Sequence, residues 1–155
     1  MKLNIWPVFI CGIFLSCNNS GNSSVSKPAP LPLTGTWKLI TGTLIEKGDT
    51  TVTDYTKNVS FIKIINDSHF TFLHHDLNGG KDSFAVFSAG GGSYTLSGNT
   101  YTEHLEYCTA RNWEGHDFTF TVAINADTLI QSGVEKIEKE GIDRMNIEKY
   151  VRVKK

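Results

Sequence analysis

The chain has 155 residues, with 15 lysines and arginines against 16 aspartates and glutamates, so its formal net charge is −1 at pH 7. No basic patch with interleaved aromatic residues occurs, which argues against nucleic acid as a partner. The length predicts one domain preceded by a leader and a spacer, and it suffices for a single hydrophobic core.

The chain begins with the features of a secretory leader. Lys2 supplies a weak positive charge, and residues 5–15 are apolar apart from Pro7 and Gly12. This run of about 11 residues suits the apolar part of a signal peptide and is shorter than the roughly 20 residues needed to span a bilayer. We therefore predict a signal peptide over residues 1–16.

The segment Phe14-Leu15-Ser16-Cys17 resembles the lipobox of bacterial lipoproteins. The resemblance implies that Cys17 carries two or three acyl chains, which together anchor a protein stably in a membrane. Asn18 follows in place of Asp, which by the sorting rules of such lipoproteins implies the outer membrane of a Gram-negative cell envelope. Residues 18–20 also lack the acidic cluster that some phyla use for surface display, which favours the periplasmic face. An ordinary secretory signal and a short membrane anchor are the alternatives.

The residues after the leader predict a tether and then a domain. Residues 17–32 comprise Cys17 and a stretch rich in Asn, Ser, Gly and Pro, which favours a flexible spacer. We predict that the globular domain spans residues 33–155. Because Cys11 leaves with the signal peptide and Cys17 is acylated, Cys108 has no partner for an intrachain disulfide.

Short runs of alternating apolar and polar residues fill the predicted domain, separated by Gly, Asn and Asp. Such spacing is typical of antiparallel sandwiches and barrels, and closing the sheet would remove its exposed edges. We predict an all-β domain that forms a single antiparallel up-and-down barrel of about eight to ten strands. The predicted strands are residues 37–46, 59–65, 70–74, 83–89, 93–96, 100–109, 117–124, 128–136 and 145–153.

Some segments are also compatible with structures other than these strands. Residues 49–58 show no clear strand pattern and could hold a short helix, as could residues 108–114. Residues 134–149 are dense in charges, but Gly141 and the alternation that follows it favour a hairpin over a helix. The glycines at 90–92 end a predicted strand, and we interpret them as a flexible hairpin at a barrel mouth.

Residues 35–37, Gly-Thr-Trp, stand at the head of the first strand and resemble the Gly-x-Trp signature of the lipocalins and their calycin relatives. Residues 99–115 and 148–152 also look like parts of bacterial lipocalin-like domains. The resemblance implies that Trp37 closes the narrow end of the barrel beneath a basic residue of the last strand, for which we choose Arg152. It further implies an internal cavity that binds a small apolar or amphipathic molecule.

Side chains of the strand 100–109 alternate between two faces. The more apolar face is predicted to point into the barrel, and it carries Tyr101, Glu103, Leu105 and Tyr107. Glu103 would then be a carboxylate in an apolar cavity, where it needs a partner or must be neutral. Lys149 and Gln131 are the candidate partners.

Glu103 has two functional interpretations, as an anchor for a polar group of the ligand or as a general acid/base. A structural buried pair and a reversed register, with Glu103 in solvent, are the alternatives. Trp113 lies among polar neighbours and is predicted to contact a ligand at the cavity entrance. The predicted ligand-binding residues are Glu103, Tyr101, Tyr107, Trp113 and Gln131.

No metal-binding or catalytic motif is evident. The five histidines show no His-x-His spacing, and the adjacent His74 and His75 would point to opposite faces of a strand. Cys108 with a nearby histidine is the minimal content of a cysteine nucleophile, but no motif flanks it. We predict no metal, no cofactor and no catalytic residue.

Three functions follow from these observations. The first is a membrane-anchored barrel that binds a small apolar or amphipathic molecule, with the membrane reached through the lipid anchor. The second is a structural or interaction lipoprotein of the cell envelope without a ligand cavity. The third is an enzyme that acts on a small lipophilic substrate inside the barrel.

Overall fold

A computed structural model describes residues 31–81, 83 and 85–154. The predicted signal peptide, Cys17 and most of the predicted spacer lie outside the described residues. Among the residues that are described, no helix is long and apolar enough to cross a membrane.

The described residues form nine antiparallel strands, eight of which close into a barrel. Strands β3 to β9 pair in chain order, and β1 closes the ring by pairing with both β3 and β9. The prediction of an all-β antiparallel barrel is thereby confirmed. The strands are β1 (Gly35–Glu46), β2 (Asp49–Asp54), β3 (Val59–Ile65), β4 (His69–Asp76), β5 (Phe87–Ser97), β6 (Thr100–Cys108), β7 (His116–Asn125), β8 (Thr128–Ile137) and β9 (Ile142–Arg152), with 3-10 helices at Arg111–Trp113 and Glu138–Glu140.

Strand β2 lies outside the closed ring. It pairs with residues 41–46 of β1, on the same edge where β3 pairs with residues 35–38. The short helix left open for residues 49–58 is therefore wrong. Every residue of β2 is exposed, so no apolar alternation marks it in the sequence, although its threonines and its valine favour a strand.

A β-bulge in β1 changes which side chains point into the barrel. The register of β1 against β9 shifts between Leu39 and Thr41. Trp37 and Leu39 are buried before the shift, whereas Gly42 and Leu44 line the interior after it. One strand thus supplies odd-numbered residues to one half of the barrel and even-numbered residues to the other half.

A second bulge has the same effect in β6. The register of β6 against β5 shifts at Glu106, so Leu105 and Cys108 both line the interior. Tyr107 instead points outward and is 69% exposed. The prediction that Tyr107 shares the inward face is wrong, because alternation with a period of two does not continue through a bulge.

The three glycines at 90–92 lie within β5 and do not form the expected hairpin. A Cβ added to Gly90 would come within 2.5 Å of the Phe72 ring, and one added to Gly92 would overlap the carbonyl oxygen of His104 at the bulge. Glycine is therefore required here by close packing of neighbouring strands. A run of glycines is equally typical of a mobile turn, so composition alone could not distinguish a turn from a closely packed strand.

The half of the barrel around Trp37 is packed with apolar side chains. Each of these residues is at most 3% exposed, and burial of such side chains stabilises the fold by roughly 1.5–3 kcal/mol apiece. They come from seven strands, which gives the closed end a continuous core. The residues are Leu39, Ile65, Phe70, Tyr101, Val122, Leu129 and Tyr150.

Trp37 and Arg152 form the floor of this closed end. Trp37 is fully buried, and its indole N–H donates a hydrogen bond to the carbonyl of Leu33 at 2.8 Å. The guanidinium carbon of Arg152 lies 3.9 Å from the Trp37 ring centroid. Arg152 also donates to the carbonyls of Thr34 and Pro32, at 2.8 and 2.6 Å, so it ties the last strand to the segment that precedes the first.

Replacing Arg152 with Ala should lower the free energy of unfolding by about 2–3 kcal/mol, because it removes a cation–π contact worth about 2 kcal/mol and two hydrogen bonds. Urea denaturation of the full chain measures this loss. Lys154→Ala is the control, since that exposed lysine pairs with Asp127 at 2.6 Å in solvent and should cost less than about 1 kcal/mol. Equal losses in the two variants would contradict this role of Arg152.

Candidate functional site

The other half of the barrel encloses a cavity of about 240 Å³. This volume is slightly below that of drug-sized pockets, which begin at roughly 300 Å³, so the cavity fits a small molecule. Its apolar walls are largely aromatic and include Leu44, Phe61, Phe72, Leu105, Trp113, Phe118 and Phe120.

Lys63 of β3 lines the cavity beside the core residues Phe70 and Tyr150, and it is 3% exposed. Its Nζ lies 2.6 Å from Oε1 of Glu103, 3.1 Å from Oε1 of Gln131 and 3.9 Å from Oε2 of Glu148. Burial by itself would lower the pKa of Lys63, but the nearby charges of Glu103 and Glu148 raise this pKa overall. The ammonium therefore stays charged inside the barrel.

Glu148 of β9 is the second carboxylate near this ammonium. The Tyr150 hydroxyl donates to Oε2 of Glu148 at 2.8 Å, and Oε1 accepts no hydrogen bond from the residues that the structure describes. Burial raises the pKa of Glu148; the charge of Lys63 opposes the increase, whereas the charges of Glu103 and Glu135 add to it. Glu148 therefore shares the Lys63 ammonium with Glu103 and lies farther from it than Glu103 does.

Glu135 and Arg144 form a separate ion pair nearer the mouth. Nε and Nη2 of Arg144 each lie 2.8 Å from Oε2 of Glu135, and Nδ2 of Asn146 donates to Oε1 at 2.7 Å. The guanidinium carbon of Arg144 also lies 5.3 Å from the Trp113 ring centroid, a cation–π contact. Both oxygens of Glu135 are thus occupied, and Trp113 borders the entrance beside Arg144.

The structure brings some of the predicted ligand-binding residues together and separates others. Glu103, Gln131 and Trp113 line the cavity. Tyr101 is fully buried in the closed half, and its hydroxyl makes no hydrogen bond within the described part of the chain. Burial, followed by the charge of Glu103, raises the pKa of Tyr101. Tyr107 lies on the outer surface, away from the other four.

Neither predicted partner forms a hydrogen bond or an ion pair with Glu103 among the described residues. Lys149 is exposed because its neighbours Glu148 and Tyr150 occupy the inward face of β9. Gln131 lies inside but accepts its hydrogen bond from Lys63. The expectation that Lys149 shares the cavity with Glu103 is therefore wrong, because the register of β9 places the odd-numbered residues outside.

Lys63 is the central charged residue of the candidate site, and it was not among the residues predicted from the sequence. It alternates with Phe61 and Ile65, which also point inward, so it is a charged residue on the apolar face of a strand. A lysine in that position is rarely buried unless it has a partner. A lysine on the apolar face of β3 therefore indicates that a carboxylate from another strand also points into the barrel.

Possible metal-binding and thiol chemistry is limited in this part of the chain. Across residues 31–81, 83 and 85–154, no three His, Cys, Asp or Glu side chains converge so that they could hold a metal ion. Cys108 lines the cavity as a partly exposed free thiol, and its backbone N–H donates to Oε1 of Glu114 at 2.8 Å. No base is held next to its sulfur by any hydrogen bond in the described residues.

Comparison with known proteins found no family model that matches this chain and no curated protein similar to it. Inference about function therefore starts from the geometry of the barrel. The most specific feature of that geometry is a charged centre within an aromatic cavity.

Replacing Lys63 with Met should lower the free energy of unfolding by roughly 3–5 kcal/mol, because it leaves Glu103 and Glu148 buried without a cation. Lys149→Met is the matched control, since the same change on the outer surface should alter stability by less than about 1 kcal/mol. Urea denaturation of both variants provides the comparison. Similar stabilities would show that the central ammonium is not a structural partner of these carboxylates.

Proposed function

We propose that this protein is a lipocalin-like lipoprotein of the cell envelope that binds one small amphipathic molecule inside its barrel. The observation that carries this proposal is the cavity of about 240 Å³, with its aromatic walls and charged centre. The closed end sealed by Trp37 and Arg152 supports the lipocalin-like assignment, because it corresponds to the contact that the Gly-x-Trp resemblance implies.

The walls and the centre of the cavity favour different parts of such a ligand. An apolar body that lies against Phe61, Phe72 and Phe118 would gain roughly 25 cal/mol for each Å² of apolar surface removed from water. The same ligand would cover Glu148, whose Oε1 accepts no hydrogen bond from the described residues, and buried charges require polar partners. A purely apolar molecule would supply none, so an amphipathic ligand fits better.

The proposed location of the protein is a membrane of the cell envelope. Cys17 and the lipobox-like residues before it support acylation, and the polar segment that follows would tether the barrel to a membrane. A barrel held at a membrane surface is close to amphipathic molecules that partition there. This supports the binding function over a purely structural one.

A bound molecule should be detectable when the full chain is isolated from its native host under mild conditions and analysed by native mass spectrometry. The purified protein should also increase the fluorescence of N-phenyl-naphthylamine, an uncharged amphiphile that brightens in apolar surroundings. Leu44→Trp should abolish both signals, because the larger side chain fills the cavity that Leu44 lines.

Leu73→Trp is the control for that variant. Leu73 lies on the outer face of β4 and is 37% exposed, so the same substitution there should leave binding unchanged. A wild-type protein that carries no molecule and does not bind the probe would contradict the proposal. Equal binding by Leu44→Trp and wild type would place the probe outside the barrel.

A further inference from the structure

The ionisable side chains that line the cavity do not balance in charge. Two of the described lining side chains are basic and three are carboxylic acids, so ionisation of these five leaves one surplus negative charge. The cations are Lys63 and Arg144, and the carboxylates are Glu103, Glu135 and Glu148.

The hydrogen bonds locate this surplus charge. Arg144 is committed to Glu135, whose other oxygen is bound by Asn146. Lys63 is then shared between two carboxylates. Its Nζ lies 2.6 Å from Oε1 of Glu103 but 3.9 Å from Oε2 of Glu148. Because the attraction between charges weakens with distance, Glu148 is the less compensated of the two.

We infer that the cavity selects a ligand with a protonated amine, and that this amine binds the unoccupied oxygen of Glu148. This inference rests on the proposed function, since it names the chemical class that the cavity would take. The ammonium would add the missing positive charge and donate charge-assisted hydrogen bonds to Oε1, which accepts none from the described residues. The apolar body of the ligand would extend along the aromatic walls towards Trp113.

An anionic ligand is disfavoured by the same contacts. Both cations of the cavity already have carboxylate partners, so a ligand carboxylate or phosphate would meet Glu148 without a free positive charge. A neutral alcohol could accept or donate a hydrogen bond but would leave the surplus charge in place. The raised pKa of Glu148 is consistent with a carboxylate that lacks its cation in the free protein.

Three indoles with the same ring system and different end groups test this inference. Isothermal titration calorimetry of the full chain at neutral pH would compare tryptamine, which carries an ammonium, with tryptophol, which carries a hydroxyl, and with indoleacetate. Tryptamine should bind at least about tenfold more tightly than either of the others, because only its ammonium adds a positive charge that pairs with the carboxylate of Glu148.

Glu148→Gln should remove this preference, so that tryptamine binds no more tightly than tryptophol, and a cooperative urea transition shows that the variant is folded. Glu138→Gln is the matched control, because it removes the same charge from a side chain that is 83% exposed in a 3-10 helix, and it should keep the tryptamine preference.

Two results would overturn the inference. If tryptophol or indoleacetate binds as tightly as tryptamine, or if no indole binds, the cavity does not select an amine. If the tryptamine preference survives in Glu148→Gln, the amine does not bind Glu148. Binding of uncharged N-phenyl-naphthylamine by wild type, and its loss in Leu44→Trp, would in either case leave the proposed function standing.

Discussion

The buried ammonium of Lys63 is the constraint around which the interior of the barrel is arranged. At 3% exposure it cannot rely on water, so strands on the other side of the barrel must supply its partners. Glu103 comes from β6, Gln131 from β8 and Glu148 from β9, which means that the cluster is complete only when the sheet has closed. The cluster also divides the barrel, with an apolar core on the side of Trp37 and an aromatic cavity on the other side.

This arrangement connects stability and binding through the same residues. A lysine between two carboxylates is sufficient to keep the barrel centre polar, but it compensates the negative charge of Glu148 only weakly. Buried ion pairs contribute little net stability compared with apolar packing, whereas losing one partner is costly. Selection for stability alone would favour apolar residues at these positions, so a polar centre beside an open cavity is more consistent with recognition of a ligand.

Local sequence patterns predicted the all-β barrel and most of its strands, but they missed β2 and divided β5 into two strands. The choice of Arg152 as the basic residue over Trp37 came from the lipocalin resemblance instead. Gly35 in the Gly-x-Trp segment has a physical reason, because a Cβ there would come within 2.5 Å of Nη1 of Arg152. The position of Tyr107 could not be predicted, since a bulge changes the inward face and depends on the pairing of two strands. The partner of Glu103 was missed for a similar reason: Lys63 is 40 residues away in the chain, and only the closed sheet brings them together.

The pKa of Glu148, measured by NMR from the pH dependence of its side-chain carboxyl carbon, tests most directly whether the barrel centre holds an undercompensated carboxylate. Glu148 should titrate above its ordinary pKa of 4.5, because burial outweighs the attraction of a shared Lys63. Saturation with tryptamine should then lower this pKa, since the ligand ammonium adds positive charge next to the carboxylate. A pKa at or below 4.5 in the free protein, unchanged by tryptamine, would contradict both the charge imbalance and the selection of an amine.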